Sequence, residues 1–172
     1  LAANAFYVLV YTMWLKRNMS QNIVWGGIAG CFPPLIGWTA VTGSVALPPF
    51  ILFAIVFLWT PPHTWALAFR YRDDYANAGV PMLPVVMSAP RVATRIVVYS
   101  VLMVLVSLTL WPAAGTGWLY PVVAGAGGLV FIVEAVKLLR RAQSGATGAA
   151  LKPMRLFHWS ISYLALVFLA AA

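Results

Sequence analysis

Apolar runs of about 20 residues, joined mostly by short connections, constrain this chain more than any other feature. A run of that length is what an α-helix needs to cross the hydrocarbon of a bilayer. Six such segments are predicted: Leu1–Leu15, Ile23–Val41, Leu47–Phe69, Val92–Trp111, Trp118–Leu139 and Leu156–Ala172. The first and last are short for a span and the other four are adequate. Apolar residues do not alternate with polar ones along these segments, which argues against a transmembrane barrel. Backbone groups in lipid must be satisfied within their own segment, which leaves helices. The predicted fold class is therefore an all-α integral membrane protein, with six transmembrane helices in one domain over residues 1–172. Composition agrees: 63% of residues are hydrophobic and 8% charged, against about 25% charged in a soluble domain. A soluble globule and a disordered chain are both excluded. Leu1 opens directly in apolar sequence, without a charged region or a cleavage site before it. No signal peptide is expected, and the chain reads as N-terminally truncated, starting inside a membrane helix.

The charges then have a side. Eleven lysines and arginines stand against three acids, for a net charge of +8. In a soluble protein that excess would suggest nucleic acid; in a membrane protein it is first a topology signal, and no nucleic-acid partner is expected. Lys16 and Arg17 follow the first segment. Arg70, Arg72, Arg91 and Arg95 flank the loop after the third, and Lys137, Arg140, Arg141, Lys152 and Arg155 flank the loop after the fifth. The connections Thr42–Ala46 and Pro112–Gly117 carry no charge. Six spans thus put every basic residue on one face, which the positive-inside rule makes cytoplasmic.

Small and helix-breaking residues are frequent inside the segments. Gly26, Gly27, Gly30 and Gly37 lie in the second, with Pro33-Pro34 at its middle, and Gly125, Gly127 and Gly128 lie in the fifth. Close helix packing is the expected use of the glycines. Cys31 is the sole cysteine, so no intrachain disulfide can form, and a small packing role is expected.

The cytoplasmic connection from Arg70 to Arg91 is long and dense in chemistry. It opens Arg70-Tyr71-Arg72-Asp73-Asp74-Tyr75-Ala76-Asn77 and holds two of the three acids. Adjacent carboxylates with a nearby amide supply hard oxygen donors of the kind magnesium takes, with phosphate oxygens completing its shell. The arginines can hold a phosphate directly. Asp73, Asp74 and Asn77 are the candidate metal ligands. Lys16, Arg17, Asn22, Arg70 and Arg72 are the candidate diphosphate-binding residues. Taken alone, the aspartate pair is better read as plain ion pairing with Arg70 and Arg72 at a helix end, worth little in stability.

Upstream stands Trp59-Thr60-Pro61-Pro62-His63-Thr64-Trp65. If the helix continues past the prolines, Trp59, His63 and Arg70 share one face. His63 then lies about two turns below the cytoplasmic mouth, where an ionisable group is a functional candidate. It could ligate a metal or move a proton, or simply bond to a neighbouring helix. His158, near Arg155, reads as structural. Glu134 has the spacing to pair locally with Lys137 and Arg141.

Three stretches resemble the heme O synthase (protoheme IX farnesyltransferase) family of the UbiA prenyltransferase superfamily. They are Tyr11–Arg17 with Gln21–Val24, Pro33–Trp38 with Ala40–Gly43, and Trp59–Leu83. The last is the most specific: Trp-Thr-Pro-Pro-His, then Asp-Asp-Tyr-x-x-Ala-Gly-Val-Pro-Met-Leu-Pro. The clear match covers residues 11–86. Thr64 departs from the usual Phe, and Asn18-Met19-Ser20 is an unusual connection. The resemblance implies a bundle of about nine helices, of which these six are the last. It implies two aspartate-rich loops facing each other at the cytoplasmic mouth, binding magnesium and a prenyl diphosphate; the Arg70–Leu83 loop looks like the second. The first, an Asn-x-x-x-Asp-x-x-x-Asp pattern, has no counterpart here, so these residues alone are expected to be inactive.

The activity implied is farnesyl transfer from farnesyl diphosphate to heme B, giving heme O and diphosphate. Asp73, Asp74 and His63 are the candidate catalytic residues, magnesium the cofactor, and heme B a substrate. A bilayer of the bacterial plasma membrane, with the site on its cytoplasmic side, and a downstream heme A synthase complete the implied partners. Two alternatives stand beside this reading. One is another aromatic prenyltransferase of quinone or chlorophyll pathways. The other is a non-catalytic membrane protein, either heme-handling or a transporter.

Overall fold

The computed structural model describes residues 8–9 and 22–171. Among these residues the regular structure is all helical. The order is α1 (Asn22–Gly30), α2 (Phe32–Thr42), α3 (Leu47–Arg70), α4 (Arg72–Asn77), α5 (Leu83–Val86), α6 (Ala89–Ala114), α7 (Leu119–Gln143), a 3-10 turn (Gly148–Leu151) and α8 (Pro153–Ala171). Five stretches are long and apolar enough to cross a membrane: Ile23–Thr42, which α1 and α2 share, then α3, α6, α7 and α8. They correspond to five of the six predicted spans. The sixth, Leu1–Leu15, lies outside the described residues.

The second span differs from its prediction. It is interrupted at Cys31, where a turn separates α1 from α2. Pro33-Pro34 sit in the first turn of α2, where a backbone N–H has no helical partner to lose. The Cys31 thiol bonds the Gly27 carbonyl at 3.0 Å, so its packing role also closes the broken turn.

α3 behaves differently at its own proline pair. It runs unbroken from Leu47 to Arg70 with Pro61 and Pro62 inside it, both buried. An interior proline costs about 3 kcal/mol in an isolated helix. Membrane helices tolerate it because neighbours and hydroxyl side chains engage the freed carbonyls. α3 is the hub of the bundle, packing against α1, α2, α6 and α8. α6 packs in turn on α7, and α7 on α8, which closes a ring of four long helices.

Close approach within this ring rests on some of the predicted glycines. Gly128 on α7 faces Val104 on α6, and Gly127 faces the Tyr163 ring on α8. Gly27 faces Thr60 across α1 and α3, whereas Gly30, Gly37 and Gly125 face open space. A buried polar cluster ties the same helices together. The Tyr120 hydroxyl donates to the Ser107 carbonyl at 2.7 Å, and Ser107 Oγ lies 2.6 Å from the Tyr163 hydroxyl. Glu134 bonds Lys137 at 2.8 Å, as its spacing suggests, and also reaches Arg155 of α8 at 3.7 Å.

Candidate functional site

The loop after α3 and the loop after α7 meet at one end of the bundle and wall a common cavity of about 520 Å³. Arg70, Arg72 and Asp73 line it from one side, Thr147 and Gly148 from the other. Predicted flanks of two separate basic loops therefore lie at the same end. The 3-10 turn that carries the far wall is held by Arg141, whose guanidinium donates to the Leu151 carbonyl at 3.3 Å.

The aspartates lie in the first turn of α4, where carboxylates suit the exposed N–H groups of a helix start. The Asp73 side chain is 91% exposed, and its nearest cation among the described residues, Arg72, stands 3.7 Å away, beyond hydrogen-bond length. The Nε of Arg72 donates to the Pro84 carbonyl at 2.9 Å, which ties the two ends of the loop together and leaves the terminal nitrogens of Arg72 at the cavity. Arg70 lies over the Tyr71 ring at 5.8 Å. Plain pairing at a helix end therefore describes Asp73 only loosely. Asp74 and Asn77 are exposed on the same short helix, but only Asp73 lines the cavity. Lys16 and Arg17 lie outside the described residues, and of Asn22 only its place at the start of α1 is described.

The donor set fits magnesium in one particular way. Among the described residues no group of three or more His, Cys, Asp or Glu converges. Asp73 and Asp74 are solvent-facing hard oxygens from one turn. They suit an ion bound by one or two carboxylates and completed by substrate phosphate and water.

His63 lies on α3 seven residues before Arg70, about 10 Å along the helix axis. Its ring stacks on Trp59 at 4.1 Å and on Phe157 of α8 at 4.4 Å. Its Nδ1 lies 2.7 Å from Ser160 Oγ. Trp59 Nε1 donates to the carbonyl of the same serine at 2.8 Å. Trp59, His63 and Phe157 border an apolar groove of about 490 Å³ between α3 and α8, walled also by Ile161, Leu164 and Phe168. His63 thus bonds a neighbouring helix, one of the roles its position suggested, and also borders a cavity. His158 is exposed on α8, with its ring edge-on to Phe157 at 5.5 Å. Sequence reasoning missed Ser160 and Phe157, because a serine or phenylalanine in an apolar helix carries no signal of its own.

The chain belongs to the UbiA prenyltransferase family, whose model matches residues 1–161. Among curated relatives it is 67% identical over its whole length to a protoheme IX farnesyltransferase of Cutibacterium acnes, covering 51% of that protein. It is 62% identical over 99% of its length to a protoheme IX farnesyltransferase of a Nocardioides species, covering 54% of it. With a protein of the same name from Streptomyces coelicolor it shares 58% identity over its full length, covering 55%. The chain thus spans about half the length of the curated relatives it matches. No solved structure matches it.

Proposed function

We propose that the full-length protein transfers a farnesyl group from farnesyl diphosphate to a vinyl carbon of heme B, giving heme O and diphosphate. The observation that carries this reading is the mouth cavity: Arg70, Arg72 and Asp73 line it together, about two turns above the aromatic groove at His63. The names of the curated relatives supply the donor and acceptor classes.

The chemistry follows from the side chains. Arg70 and Arg72 bind the diphosphate and stabilise the negative charge that grows on it as the allylic C–O bond breaks. Asp73 and Asp74, with Asn77 one turn on, would hold magnesium; when bound, the ion neutralises the leaving diphosphate. Lys16, Arg17 and Asn22 are proposed to complete the phosphate-binding wall. The apolar groove keeps water from the allylic cation until the vinyl group attacks, and ring faces such as Trp59 stabilise positive charge.

These helices are proposed as the last six of a nine-helix bundle. Their basic end lies on the cytoplasmic side of a bacterial plasma membrane, and heme O passes to a heme A synthase. The second aspartate-rich loop of the resemblance is the one present here, so the complete reaction is assigned to the full-length protein. The test is Asp73→Ala and Asp74→Ala in that protein, assayed for heme O formation and for magnesium-dependent binding of a farnesyl diphosphate analogue. Both are expected to fall at least about 100-fold, an electrostatic loss of about 3 kcal/mol. Wild-type values in both assays refute the assignment.

A further inference from the structure

We propose that Ser160 is a positioning residue that locks His63 with its Nε2 lone pair aimed edge-on into the apolar groove, where it ligates the iron of the tetrapyrrole acceptor. The proposal deepens the function given above and rests on its acceptor class.

Hydrogen-bond arithmetic fixes the ring. Ser160 is fully buried, and its hydroxyl has one proton. Oγ lies 2.6 Å from the Phe157 carbonyl and 2.7 Å from His63 Nδ1. A carbonyl can only accept, so the proton goes to Phe157. Oγ then has lone pairs left, and the short contact with Nδ1 requires the imidazole to donate. His63 is therefore the Nδ1–H tautomer, and Nε2 carries the lone pair.

Packing fixes the direction. Trp59 and Phe157 cover the two faces of the imidazole, with ring planes inclined by 20° and 26°. The Nδ1 corner is tied to Ser160. Only the edge carrying Nε2 is left, and no described residue bonds to it. The groove it borders is walled by ring and aliphatic carbon from Trp59, Phe157, Ile161, Leu164 and Phe168. A lone pair facing these carbon walls has no partner among the described residues. It suits an electrophile brought by a ligand, and a flat apolar macrocycle with iron at its centre is one.

An imidazole whose other nitrogen donates to a fixed oxygen is the usual state of a metal-ligating histidine. The groove volume of about 490 Å³ falls in the range of ligand sites, about 300–1,000 Å³. The distance of about 10 Å along α3 separates this nitrogen from the arginines and aspartates of the mouth, so diphosphate and iron do not compete for donors.

The experiment titrates heme B into the detergent-purified full-length protein and reads electronic absorption and the ferrous iron–histidine stretch by resonance Raman. Wild type is expected to show histidine-ligated iron. His63→Ala is expected to lose that signature and regain a nitrogen-ligated spectrum with added imidazole, which shows that the groove is intact. Ser160→Ala is expected to bind heme about tenfold more weakly and to shift the iron–histidine stretch, which a merely structural serine would not move. An unchanged spectrum and affinity in His63→Ala overturns the ligation. A wild-type stretch in Ser160→Ala overturns the positioning role. Heme O formation by the same wild-type preparation is assayed in parallel. Turnover without histidine ligation sinks this inference alone, and absence of turnover sinks the reading beneath it.

Discussion

Gly128→Ala tests the tightest glycine contact among the described residues. A Cβ at Gly128 would sit 2.6 Å from Val104 Cγ1 and 2.8 Å from Cγ2. Carbon atoms pack best at about 3.5–4.0 Å, so the added methyl overlaps Val104 by about 1 Å. Val104 cannot turn away. It is 6% exposed and β-branched, with one favoured rotamer in a helix. Relief therefore requires α6 and α7 to separate or slide, and overpacking of this kind costs about 1–3 kcal/mol. Alanine also returns up to about 1 kcal/mol of helix propensity relative to glycine. The clash wins, and the variant is expected to be destabilised by about 1–2 kcal/mol, measured by unfolding of the full-length protein in detergent. Val104→Ala removes both clashing carbons and alone costs about 1–2 kcal/mol, from roughly ten lost packing contacts at about 0.1–0.2 kcal/mol each. The double variant is expected to be more stable than the sum of the singles by about 1–3 kcal/mol. Additivity within about 0.5 kcal/mol, the behaviour of independent sites, refutes the close approach.

Two further predictions probe the polar groups that hold the ring together. The Ser107 hydroxyl donates to the Val104 carbonyl, so the Tyr163 hydroxyl donates to Ser107. Tyr163→Phe is expected to cost about 0.5–1.5 kcal/mol in the same unfolding assay while leaving heme O formation within about threefold of wild type. A much larger activity loss would place Tyr163 in the reaction. Glu134→Gln removes the carboxylate that Lys137 and Arg155 share across α7 and α8. Because both cations are about half exposed, the expected cost is about 1 kcal/mol instead of the 3–5 kcal/mol of a fully buried pair. The gap between variant and wild type should shrink at high ionic strength, and a salt-independent gap would show that charge is not what Glu134 contributes.

Hydropathy alone determined where α3, α6, α7 and α8 run to within a few residues, because lipid leaves the backbone of an apolar segment no alternative to a helix. Charge placement determined which connections belong together, and the Trp59–Leu83 motif pointed to the family. The sequence also singled out Asp73, Arg70, Arg72 and His63 as candidates, since ionisable groups at a membrane boundary are few and costly. Tertiary structure decided what those residues touch. It alone brought Thr147 and Gly148 across from Arg70, placed Asp73 in the cavity wall without Asp74, and gave Glu134 its second cation. It alone set Ser160 against His63, 97 positions away in the chain. Helical spacing says which residues share a face of their own helix. Which face of α8 meets which face of α3 is set by helix rotation and the fit of small residues, and neither quantity is written in any local stretch of sequence.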